Sequence, residues 1–90
     1  MTNAARTSPT AEEIARQLMR ILVFRLRLKP GDEIPDRAMR TEYEARGGKA
    51  DEIAAGLRFA HENQWVTYER STDRFYLAAG GATGNVLDTD

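Results

Sequence analysis

The most constraining stretch is residues 53–77, where an apolar helical stripe runs directly into two short alternating segments. Ile53, Leu57 and Ala60 recur at i, i+4 and i+7, which is one face of a helix. Trp65, five residues past Ala60, closes that helix. Val66-Thr67-Tyr68-Glu69-Arg70 and Arg74-Phe75-Tyr76-Leu77-Ala78 then alternate around Ser71-Thr72-Asp73, the pattern of a β-hairpin. A lone hairpin is marginal in water, so this one has to pack against helices. Trp65 and Leu77 are the side chains expected to make that contact.

Two helices are expected upstream. Thr10-Ala11-Glu12-Glu13 is a capping box preceded by Pro9, which starts a helix over residues 11–26. Along it Ile14, Leu18, Ile21 and Leu22 form one apolar stripe. Met19, Val23 and Leu26 form a second, and Arg16, Arg20 and Arg27 line a third side. Lys29-Pro30-Gly31-Asp32 is a turn, and Ile34 before Pro35 is extended. Asp36 is the expected N-cap of a helix over residues 37–46, ended by Gly47-Gly48 with one glycine at the left-handed C′ position. Asp51 then favours the start of the third helix through the helix dipole.

These signals give an α+β, mostly helical fold in the order α-α-α-β-β. Its limits are a disordered N-terminus at 1–9, a folded unit at 10–79 and a flexible C-terminal tail at 80–90. Ninety residues make one domain with a small core. The chain has no cysteine, hence no disulfide and no thiolate metal site, which fits a reducing cytoplasm. No segment reaches the length of a membrane span, and no apolar core of a signal peptide opens the chain. One histidine, His61, and no glycine-rich phosphate loop leave too little material for catalysis, a cofactor or a metal. The reading is a non-enzyme.

Residues 12–80 resemble the winged-helix domains of bacterial transcription regulators, especially the gluconate-operon-repressor class. The family's Leu-x-Pro-Gly-x-x-Leu-Pro turn is matched by Leu28-Lys29-Pro30-Gly31-Asp32-Glu33-Ile34-Pro35. Its third-helix spacing is matched by Ile53, Leu57, Ala60, Trp65 and Val66. Its wing is similar to Arg74-Phe75-Tyr76-Leu77-Ala78-Ala79-Gly80. The resemblance implies a helix-turn-helix with a β-hairpin wing and double-stranded DNA as partner, the third helix in the major groove and the wing on backbone or minor groove. Two features depart from it. The connection before the third helix is about two residues longer, and Lys49-Ala50-Asp51-Glu52 stands where the family has a Ser-Arg-Thr-Thr type stretch.

With Ile53, Leu57 and Ala60 inward, the third helix turns Asp51, Ala55, Arg58 and Glu62 outward. Arg58 suits bidentate guanine recognition. Lys49 suits a phosphate, Arg70 and Arg74 flank the hairpin tip as minor-groove contacts, and Arg37 and Arg40 position phosphates. Each has a plain alternative: a solvated helix face for Arg58 and a solvated turn for Lys49. For Arg70 and Arg74 it is cross-strand pairing with Glu69 or Asp73. A formal net charge of −1, from 13 basic and 14 acidic residues, favours no strongly basic nucleic-acid binder and leaves distribution to decide. The alternative function is a protein-interaction module, with Met19, Val23 and Leu26 as a partner or homodimer surface unless the turn after Leu28 covers them. A third reading is RNA binding through Arg16, Arg20 and Arg27.

Overall fold

The structure is a computed structural model that describes residues 9–87. Helix α1 (Ala11–Arg20) starts where its box is written. Thr10 Oγ1 accepts the Glu13 amide at 3.1 Å, and the Thr10 amide donates to Glu13 Oε1 at 2.9 Å. From Ile21 to Arg25 the helix widens into a π turn, in which the Leu26 amide reaches back to Ile21 O at 2.9 Å. The uniform α-helix expected to Leu26 is therefore corrected. Arg27, at φ 59°, ends the turn, and the Leu28 amide returns to Leu22 O.

Helix α2 (Asp36–Ala45) follows, then α3 (Ala50–Glu62), β1 (Val66–Glu69) and β2 (Arg74–Leu77). This is the α-α-α-β-β order. Asp36 is not the N-cap, however: the cap position is Pro35, and Asp36 sits in the first turn, its carboxylate 3.0 Å from Arg40. Between α2 and α3 the chain turns through a Schellman motif. Gly47 adopts φ 90° and donates to Glu44 O, while the Gly48 amide donates to Tyr43 O at 3.1 Å.

The strands pair antiparallel with Val66 opposite Leu77 and Glu69 opposite Arg74. A third short stretch joins the other edge of β2. Gly31 N–H donates to Leu77 O, Leu77 N–H to Asp32 O, and Ile34 N–H to Phe75 O, at 2.7–2.9 Å. The extended conformation before Pro35 thus has a structural use: it closes the sheet over Ile34, which is buried.

One core joins these layers. It contains Ile14 and Leu18 from α1, Ile21 and Leu22 from the π turn, Met39 and Tyr43 from α2, Ile53, Leu57 and Ala60 from α3, and Val66 and Leu77 from the sheet. Helices α1 and α3 meet closely because Gly56 faces α1; a Cβ there would stand 2.5 Å from Ile14 Cγ2 and 3.0 Å from Leu18 Cδ1. Trp65 is partly buried against this core, as expected, and Leu77 fully. Trp65 lies at the rim, edge-on to Phe59 at 5.4 Å and beneath the Arg16 guanidinium.

A further correction concerns the C-terminal segment. Residues 80–87 are not a loose tail: a 3-10 turn (Ala79–Ala82) and a short helix α4 (Gly84–Leu87) fold back on α1. Gly81 packs against Trp65 O and the Met19 sulfur, Val86 is buried, and Arg16 donates to Asn85 O and Val86 O at 2.8 and 3.2 Å. The expectation of disorder for the N-terminus falls mostly on residues 1–8, outside the described residues, as do 88–90.

Candidate nucleic-acid interface

The outward face of α3 is built by default: Ile53, Gly56, Leu57 and Ala60 are committed to the core, so Asp51, Ala54, Ala55, Arg58, His61 and Glu62 face water. Arg58 stands on this face with Ala54 and Ala55 one turn before it and His61 and Glu62 one turn after, and forms no ion pair among the described residues. Its neighbour at the helix start, Lys49, is likewise exposed and unpaired. Lys49 has its backbone amide 3.2 Å from Glu52 Oε1. The same carboxylate oxygen accepts the Tyr43 hydroxyl at 2.8 Å. Burial, reinforced by the Glu52 carboxylate, pushes the Tyr43 phenol up to about 12. Glu52 is thereby turned inward as the clamp between α2 and α3, and Asp51 is the one fully exposed carboxylate of the first turn.

At the other end of α3 the hairpin begins. His61 sits edge-on to Tyr68 at 6.5 Å, and Tyr68 packs on Phe75 at 4.9 Å. The Tyr68 hydroxyl donates to Asp73, which raises its pKa above the usual phenol value. This aromatic ladder fixes the hairpin beside α3. Arg70 lies in the turn itself rather than at the end of β1, exposed and with no ion pair among the described residues. Arg74 does pair, though with neither Glu69 nor Asp73: its guanidinium donates to Glu33 on the neighbouring extended stretch, which holds Arg74 more firmly protonated. Both partners are well exposed, so the pair is open to exchange with an outside anion.

Arg37 and Arg74 line one cleft of about 650 Å³ between the hairpin and the start of α2, together with Glu33, Asp36 and Asp73. Arg40 is turned to Asp36, while Arg37 forms no ion pair among the described residues. The structure therefore leaves Lys49, Arg58, Arg70 and Arg37 uncommitted and engages Arg40 and Arg74. His61 is an exposed hairpin contact, and among the described residues no cluster of three or more His, Asp or Glu could hold a metal.

Of the two readings of the Met19, Val23 and Leu26 stripe, core packing or partner surface, the structure shows packing, with the C-terminal segment as the cover over Met19. Met19 is fully buried under the C-terminal segment, and Val23 and Leu26 are half-buried against the core. The side chain that the sequence reading missed is Phe24, carried by the π turn into a groove with Arg25 and Arg46. Its signal was faint, since at ideal helical periodicity Phe24 falls on the polar side, between the arginine line and the first apolar stripe. No helix among the described residues is long and apolar enough to cross a membrane. Compared with protein-family models, curated proteins and solved structures, the chain gives no match, so its own geometry carries the functional argument.

Proposed function

We propose that the chain is a winged-helix domain that binds duplex DNA, acting as a small transcription regulator in a bacterial cytoplasm. The observation that carries this reading is the outward face of α3, where an exposed Arg58 with no ion pair among the described residues stands one turn after Ala54 and Ala55 and one turn before His61 and Glu62. Small neighbours let a helix approach base edges closely, and a single guanidinium can grip guanine O6 and N7. A helix of 13 residues spans about 20 Å, enough to cross a major groove about 12 Å wide.

Lys49 and Arg70 flank this face at the start of α3 and in the hairpin turn. They act as phosphate contacts that set register, and Arg37 adds a third from α2. Glu52, which stands where a phosphate-binding residue would be in similar domains, is used internally and does not oppose the backbone. The test is selection from a randomised duplex pool. Wild type should enrich a guanine-containing motif, and Arg58→Ala should relax preference at one position of it. A pool that emerges unenriched contradicts the reading.

A further inference from the structure

Phe24 is the most exposed large hydrophobic side chain among the described residues, at 57%. Tyr68, the next, has its ring on Phe75 and its hydroxyl on Asp73; Phe24 has no ring partner among the described residues. It lies in a groove of about 320 Å³ with Gln17, Arg20, Ile21, Arg25 and Arg46. The ends of α1 and α2 build this groove, and nothing from α3 or the hairpin enters it.

Its charge is unbalanced. Arg25 Nε and an Arg46 nitrogen share Glu42 Oε1, at 3.3 and 2.7 Å. Arg46, then Arg25, holds the Glu42 carboxyl below its ordinary range, so it is ionised at neutral pH. Counting these three groups alone, two guanidinium groups face one carboxylate.

We propose that this groove docks an acidic peptide segment of a partner protein carrying one bulky apolar anchor. Phe24 supplies the apolar centre, standing over the buried Ile21, and the arginines a cationic rim, the layout in which interface anchors are effective. Guanidinium groups accept peptide carboxylates in a planar, two-point fashion. Single-stranded nucleic acid fits less well, because it needs successive stacking platforms along a cationic path and the groove has one aromatic ring. Because the groove is separate from α3, this docking stands whether or not the chain binds duplex DNA.

The experiment is an NMR titration of the isotope-labelled full chain with a synthetic peptide in which glutamates flank one phenylalanine. The expected result is a saturable shift of amides in residues 17–25 and at Arg46. Phe24→Ala should weaken binding about tenfold, as loss of an anchor does, and Arg25→Gln or Arg46→Gln should weaken it several-fold at low salt. A well-dispersed spectrum of each variant shows that the fold is retained. The proposal is overturned if Phe24→Ala binds as wild type does, or if a lysine-for-glutamate peptide binds equally well. It is also overturned if a thymidine single strand occupies the same amides more tightly, or if they shift with protein concentration alone, which would indicate a second copy.

Discussion

The two faces of α3 share one backbone and obey different rules. The inner face is a set of obligations: Ile53, Gly56, Leu57 and Ala60 are buried, and Gly56 has no room for a Cβ because α1 passes so close. The outer face, with Ala54, Ala55, Arg58 and Glu62, owes nothing to the fold. The difference teaches where function can be written at little cost. Residues on the outer face can change chemistry without disturbing the core, and residues on the inner face can change only by breaking it.

The largest effect should come from the inner face. Ile53→Ala removes a side chain only 4% exposed and should cost about 2–5 kcal/mol in urea unfolding. Next is Gly56→Val, which forces α1 and α3 apart. It should cost about 1–3 kcal/mol, measured the same way. A neutral result for either would erase the distinction between the faces.

The joint between faces is Tyr43 with Glu52. Tyr43→Phe should cost about 0.5–1.5 kcal/mol at neutral pH, the value of one hydrogen bond. Its pH signature is sharper. Burial, then the Glu52 carboxylate, push the folded phenol up to about 12 from the usual phenol range near 10. Below pH 10 both states keep the proton and stability does not depend on it; from pH 10 to 12 the unfolded state sheds it first and stability falls. Denaturation across that window should show the fall in wild type and a smaller one in Tyr43→Phe. Smallest is Arg58→Ala, which should change stability by less than about 0.5 kcal/mol in the same assay.

What the sequence could disclose follows the range of each interaction. The Thr10–Glu13 box, the Gly47 turn and the stripe of α3 are local, set by residues three to five apart, and they stand where the pattern puts them. The hairpin is local too, apart from Arg70, which belongs to the turn. The packing of Met19 was left open because its cover arrives from Gly81, 62 residues later, in a segment with almost no hydrophobic signal. The Arg74–Glu33 pair spans 41 residues and depends on an extra strand-like stretch invisible to periodicity. At the candidate interface, exposure of Arg58 was legible because it is the complement of the buried stripe. The inward turn of Glu52 was not, since it requires the Tyr43 hydroxyl to arrive from α2.

The central claim, that the outer face of α3 and the hairpin turn grip a duplex, is tested most directly by the salt dependence of binding. Affinity for pooled duplexes should fall as salt rises, with a log–log slope of about −0.9 per phosphate neutralised. In a Lys49→Ala, Arg70→Ala double variant the slope should shrink by about two contacts while the fold is kept. An unchanged slope, or no binding by wild type at low salt, would contradict the account.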